Sequence, residues 1–251
     1  MGDGDSGAVS LPTPQEALAA MMSRDENRSR DEPEIANNIG AQLEHMELDS
    51  LSLSMRRRIR DVIGRAKPRN VCEIGSGIGH LSAWLLDVWD SEEHPEHYHL
   101  VEAGGKFGVI LMRLVSRYKA EDWAHVTVGR FDELVAATES WNAANASNPA
   151  AGRPPLHIPF DLAIVDVGWR GKVEVVEQCL QVMADGGIIL TEEPEVPIDD
   201  VGELPLTGEL TDEQSRVAEF NRWVALVTSL NEEHLIGFAP LFGGTLVAIV
   251  K

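Results

Sequence analysis

The sequence predicts an α/β protein built on a doubly wound, mostly parallel sheet with helices on both faces. Three observations predict it. Between residues 70 and 193, short β-rich runs alternate with segments of helical periodicity. The run Phe160–Val167 (FDLAIVDV) is almost continuously apolar, as suits a strand covered on both sides. The chain closes with two further β-rich runs around Gly243-Gly244, the pattern of an antiparallel hairpin.

The elements follow in order. Residues 1–33 are rich in Gly, Asp, Ser and Pro and then in mixed charge, so a disordered or loosely docked tail is expected, with one short helix around Leu18, Met21 and Met22. A single domain then spans 34–251. Ile35–Leu48 and Ser52–Ala66 read as helices. Asn70–Gly75 is a buried strand, and Gly79–Trp89 repeats apolar residues at i, i+3, i+4, i+7 and i+8. His97–Ala103 is the second strand, Lys106–Asp122 a helix, Ala124–Phe131 the third strand and Asp132–Ala144 a helix. An insert near 145–159 precedes strand Phe160–Val167, helix Gly171–Ala184 and strand Gly186–Glu193. A second insert near 194–210 is rich in Pro, Gly and acids. Thr211–Leu230 is a helix opened by a capping box, Thr211 to Gln214, and Leu235–Leu241 with Thr245–Val250 form the hairpin. Seven strands result, in a Rossmann-like arrangement.

Composition excludes several functions. Two cysteines, neither in a CxxC, rule out a disulfide scaffold and a zinc ribbon. Apolar runs are too short to span a bilayer, and the first residues lack a signal pattern, so a soluble cytoplasmic protein is expected, with no membrane partner. A net charge of −20 argues against broad nucleic-acid binding. The stretch Arg56–Arg69 is basic against this background; it reads as a solvated helix face or, alternatively, as a site for an anionic substrate. His94, His97 and His99 read as a solvated loop, because a zinc site needs more ligands at suitable spacing.

In a doubly wound sheet, ligands sit beyond the carboxyl ends of the strands. The candidate residues are therefore those that follow each strand. After the first comes Glu73-Ile-Gly75-Ser76-Gly77-Ile-Gly79-His80, a GxGxG turn opening a helix, not the GxGxxG of a dinucleotide site. Glu102 and Ala103 end the second strand, where a carboxylate can accept both hydroxyls of a ribose. Arg130, Phe131 and Asp132 follow the third.

This combination resembles the S-adenosyl-L-methionine site of class I methyltransferases. The stretch FDLAIVDVGWRGKVEVVEQCLQVMADGGIILTEE, with the closing GFAPLFGGTLVAIVK, resembles the metal-dependent O-methyltransferases, the group of the catechol and caffeoyl-CoA enzymes. The resemblance implies transfer of a methyl group to a hydroxyl of a small catechol-like or phenolic acceptor, helped by Mg²⁺ or another divalent cation, in a chain that often dimerises. It implies that Glu73, Gly75, Ser76, Gly77, Gly79, His80, Glu102, Ala103, Arg130, Phe131, Asp132 and Asp166 bind the cofactor, Glu73 by holding its ammonium group.

By the same resemblance Asp166, Glu192 and Glu193 take the metal positions. The family there has Asp, Asp and Asn, so the last two differ. The family's basic Lys, three residues after the strand-four Asp, is replaced by Trp169, which leaves Arg170 or Lys172 as the catalytic candidates. A guanidinium is a poor base because it stays charged. Trp169 itself is either a substrate wall or a packing residue. The hydroxyl residue that the family places two positions past the last glycine is Leu81 here, with Ser82 beside it. Two alternatives stay open: an RNA or other N-methyltransferase, and a non-catalytic domain that binds S-adenosylmethionine.

Overall fold

The computed structural model describes residues 11–146, 152–198, 201 and 209–251. The first ten residues and parts of both expected inserts lie outside these. Fifteen elements are described: α1 (Pro14–Met21), α2 (Glu34–His45), α3 (Leu53–Ala66), β1 (Asn70–Ile74), α4 (His80–Ser91), β2 (His97–Glu102), α5 (Gly105–Arg117), β3 (Ala124–Val128), α6 (Phe131–Asn145), β4 (Phe160–Val165), α7 (Lys172–Gln181), β5 (Met183–Glu192), α8 (Asp212–Leu230), β6 (Leu235–Leu241) and β7 (Gly244–Val250).

The strands form one seven-stranded sheet in the order β3-β2-β1-β4-β5-β7-β6. β1 to β5 pair in parallel, and β7 runs antiparallel to both β5 and β6. β7 is thus the one reversed strand. The order turns back at β1, between β2 and β4, and this is where a crevice opens at the carboxyl edge. Two apolar cores cover the sheet. One carries Leu100, Leu162 and Leu190 against Met55, Trp84 and Leu111. The other carries Val101, Val165 and Ile189 against Phe131, Val176 and Trp223. No helix among the described residues is long and apolar enough to cross a membrane.

Several helices end earlier than their apolar spacing suggests, for a backbone reason. α2 stops at His45 because Glu47 turns left-handed (φ 54°), letting the Leu48 amide bond the Leu43 carbonyl at 3.0 Å and the Glu47 amide bond Glu44 at 3.2 Å. α5 stops at Arg117 in the same way, through Lys119 (φ 54°) and the amide of Ala120 on Val115. Both are Schellman closures on residues other than glycine, which leaves no glycine to announce them. α7 ends at Gln181 rather than Ala184, because Met183 already pairs with Phe160 as the start of β5. The capping box of α8 is present, with the Gln214 amide on Thr211 Oγ1 at 3.2 Å.

The expected loose tail is corrected over its described part. α1 opens with its own capping box, Thr13 and Glu16, and buries Leu18 and Met22. A Cβ on Gly237 of β6 would meet Met22 Sδ at 2.8 Å, so the helix lies directly on the sheet.

The basic stretch of α3 holds the connection between α1 and α2 and is not a solvated face. Arg58 donates to the carbonyl of Met22, Arg65 to those of Met21 and Ser23, Arg60 to Ser29 and Arg57 to Arg30. Carbonyls of an irregular segment need partners when they lie against the protein, and guanidinium groups supply them.

Candidate active site

β1 delivers the chain into the turn Gly75–Gly79 at the centre of the sheet edge. Three glycines there take left-handed conformations (φ 89°, 54° and 89°). The reasons differ. A Cβ on Gly75 would fall 2.1 Å from the carbonyl oxygen of Asp166, and one on Gly79 2.5 Å from Leu114 Cδ2. Beside Gly77 there is nothing within 4 Å, so its bare backbone faces open space. Glu102, at the end of β2, binds across this turn. Its Oε2 accepts the Gly77 amide at 2.8 Å and its Oε1 the Gly104 amide at 2.7 Å.

Two cavities meet at Gly75 and Asp166–Gly168. The larger, about 690 Å³, runs over the ends of β2 and β3 and is lined by Glu102, Ala103, Gly129, Arg130, Phe131 and Asp132, with Gly171 and Gln178 opposite. The smaller, about 260 Å³, lies between the glycine turn and the α2–α3 region, lined by Leu43, Asp49, Leu51, Arg56, Ser76, Gly77, His80, Leu81 and Glu192. Asp166 borders both.

At the larger cavity, Asp132 is held by Arg130 through a two-point ion pair at 3.0 and 3.1 Å, which keeps its carboxyl below the usual range. Phe131 is 5% exposed, opening α6 while packing into the core.

Asp166 follows β4, its amide bonded to the Ile74 carbonyl at 2.8 Å. Burial pushes its carboxyl up to about 6, and Glu192 pushes the same way, while Lys172 and Arg56 hold it down. Lys172 opens α7 behind the cavity wall, 6% exposed, its Nζ donating to the Glu192 carbonyl at 2.8 Å. Burial lowers the Lys172 pKa against the opposing pull of Glu192 and Asp166.

Four expectations from the sequence are corrected here. Glu73 does not reach either cavity. It is fully buried, its carboxylate taking hydrogen bonds from Ser82 Oγ (2.8 Å) and the Tyr98 hydroxyl, and burial raises its pKa to about 7. The hydroxyl of Ser82 is spent on that contact.

Arg170 is not placed as a base. It lies 65% exposed, paired to Asp212 at 2.5 Å and stacked 4.6 Å over Trp169. The Arg216 guanidinium also lies 5.8 Å from the Trp169 ring centre, and Trp169 borders neither cavity. Lys172 is near Asp166 but lines neither cavity.

The donor set Asp166, Glu192 and Glu193 does not fit a bound divalent ion. Among the described residues these three do not bring carboxylate oxygens within 4.8 Å of one another. Neighbouring strand positions alternate in direction, and Glu193 borders neither cavity. Glu192 is turned toward Gly244, where its Oε1 would lie 2.3 Å from an added Cβ.

One hub escaped the sequence reading. Glu32 Oε1 receives Trp84 Nε1 at 3.2 Å and Arg56 at 3.0 Å, and contacts His80 Nε2 at 3.1 Å. It thereby fixes two walls of the smaller cavity. Nothing in its mixed-charge surroundings, Ser23–Glu34, marks it out.

No family model matches the sequence, and no curated protein matches it. Solved structures do. An O-methyltransferase from Bacillus cereus in complex with SAH superposes with a TM-score of 0.63 at 17% identity, over 88% of this chain and 92% of that one. The O-methyltransferase TomG of Streptomyces achromogenes, involved in tomaymycin synthesis and solved with SAM, gives 0.60 at 15%, over 88% and 91%. An SAH-bound methyltransferase of Podospora anserina gives 0.59 at 17%, over 96% and 98%. This likeness shows that the chain has the Rossmann-like fold of the class I methyltransferases.

Proposed function

We propose that the protein is an S-adenosylmethionine-dependent O-methyltransferase acting on a hydroxyl of a small molecule. One observation carries the reading: a nucleoside-sized cavity and a smaller one share a wall at Gly75 and Asp166. The fold neighbours solved with SAM or SAH support the same cofactor.

The residues fit that cofactor. The exposed backbone of Gly77 lets a ligand approach closely, and the Glu102 oxygens each keep a lone pair for a ribose hydroxyl. Bound there, S-adenosylmethionine would supply an electrophilic methyl group that needs no further activation. The acceptor must then be held in line and lose its proton. Asp166 borders both cavities, and its pKa of about 6 makes it a carboxylate near neutrality that is still basic enough to take a hydroxyl proton. Lys172 sits behind it as a positioning cation. The smaller cavity, walled by Asp49, Asp166 and Glu192 with Arg56, suits a compact acceptor and not a phosphate backbone.

Because the acidic trio does not converge, no divalent ion enters this mechanism. The test is calorimetry with S-adenosylmethionine, S-adenosylhomocysteine and NAD⁺, followed by methyl transfer to catechol-like acceptors. Binding of the first two and not the third is expected. Failure of both to bind would overturn the reading.

A further inference from the structure

At the opposite edge of the sheet from the crevice, four histidines come together. His97 and His99 share a face of β2, and His125 of β3 stands in register with His99. His157, from the loop before β4, lies across them with its ring stacked 3.6 Å from that of His97. The solvated loop expected for His94, His97 and His99 holds for His94 alone: His99 is 1% exposed in β2, and His97, His125 and His157 are partly buried. Sequence spacing could not show this cluster, since its members come from three separate segments.

We propose that His97, His125 and His157 form a binding site for a transition-metal dication such as Zn²⁺. One ring nitrogen from each lies within 4.8 Å of those of the other two, and no other such group occurs among the described residues. His97 Nδ1 and His125 Nε2 are 3.3 Å apart. Two nitrogens on one tetrahedral Zn²⁺, each at about 2.0–2.1 Å, stand about 3.3 Å apart. The His157 ring, stacked on His97 with an interplanar angle of 10°, must swing out of that stack to aim its lone pair at the same ion, and a water would complete the shell.

His99 acts as the supporting residue. Its Nε2 accepts the backbone amide of His157 at 3.0 Å, so it carries no proton there. His157 Nδ1, also 3.0 Å from that nitrogen, is therefore the donor, and its Nε2 is left with a free lone pair. Burial, helped by Arg153 and by the neighbouring rings at His99, His125 and His157, keeps the imidazoles neutral, with His157 held down to about 4. Neutral imidazole is the form that binds metal, and it favours Zn²⁺, Cu²⁺ or Ni²⁺ over Mg²⁺. The charged neighbours are Glu96, already paired with Arg69, and Arg153. The ion would clip the loop before β4 onto β2 and β3, away from methyl transfer.

The test measures Zn²⁺ binding to the full chain by calorimetry and by metal analysis after dialysis, with Co²⁺ absorption to report tetrahedral nitrogen ligation. One ion per chain is expected, undisturbed by excess Mg²⁺. His125→Gln and His157→Ala should each weaken it at least 100-fold. His94→Ala should leave it unchanged, since His94 stacks on Trp123 outside the cluster. Asp166→Asn should also leave it unchanged, which separates this site from the crevice. Circular dichroism of the metal-free variants establishes that they fold. No binding by the wild-type chain, or binding indifferent to His125 and His157, would overturn the proposal.

Discussion

Lys172 Nζ donates to the main-chain carbonyl of Glu192 at 2.8 Å, which anchors a buried amine behind Asp166 instead of in the cavity. Its influence on the reaction therefore runs through the ionisation of Asp166, which it holds down.

The expected consequence is a shifted pH profile. A proton-accepting Asp166 requires its carboxylate form, so kcat/KM should fall as the pH drops through about 6 and level off above it. Lys172→Met removes the cation and moves this limb upward in pH, leaving affinity for S-adenosylhomocysteine within a few-fold. Lys172→Arg keeps the charge and the limb in place. If Lys172 were itself the base, the methionine variant would lose turnover at every pH and the arginine variant would not restore it. Steady-state profiles of the three proteins decide between these. EDTA should leave the rate within about twofold, as carboxylates that do not converge hold no required ion.

Glu73 makes a prediction about stability. Its carboxyl ordinarily titrates at 4.5, but burial raises it to about 7 in the folded chain. The folded state thus holds a proton that the unfolded chain releases between these values. No penalty exists below pH 4.5, and the full penalty is present above pH 7. Glu73→Gln, which keeps the bonds to Ser82 and Tyr98 possible, should be more stable than the wild type at pH 8 by about 3 kcal/mol. The two should converge at pH 4.5. Urea unfolding across this range checks the sign.

Much of the sheet was legible because its strands carry nearly unbroken apolar runs between glycine or acidic turns, as at Phe160–Val167 and Gly186–Glu193. The larger cavity was legible for the same reason: its polar residues follow the strands directly. What could not be read were contacts made across long sequence gaps. Glu32 meets His80 forty-eight positions on, and the arginines of α3 grip carbonyls 27 to 44 residues back. Side-chain direction was also hidden. Glu73 falls in the expected strand Asn70–Gly75, but its strand position alone does not tell which way the side chain points, and in β1 it turns into the core.

Glu32 should be costly to remove. Arg56 is 6% exposed, and Glu32 is its acidic partner at 3.0 Å. Glu32→Ala leaves a buried guanidinium without its counter-charge and frees Trp84 Nε1, which should cost about 3 kcal/mol in chemical denaturation. Because Arg56 and His80 line the smaller cavity, KM for the acceptor should rise while affinity for S-adenosylhomocysteine stays nearly constant. Loss of both affinities together would mean that the substitution disturbs the whole crevice.

Glu102 offers the converse test. Its two oxygens take the amides of Gly77 and Gly104, so one carboxylate ties the first two strand-end turns together and faces the larger cavity. Glu102→Gln changes few atoms but turns one acceptor into a donor, which then opposes a backbone N–H. Either turn must shift, and a ribose hydroxyl loses a charged acceptor. Affinity for S-adenosylhomocysteine should fall about 100-fold, equivalent to about 2.7 kcal/mol. The thermal midpoint without ligand should drop by only a few degrees, because Glu102 lies at the sheet edge and the apolar packing on both faces is untouched. Calorimetry and melting on the same preparation separate the two effects. A variant that binds as tightly as the wild type would remove the nucleoside from this cavity.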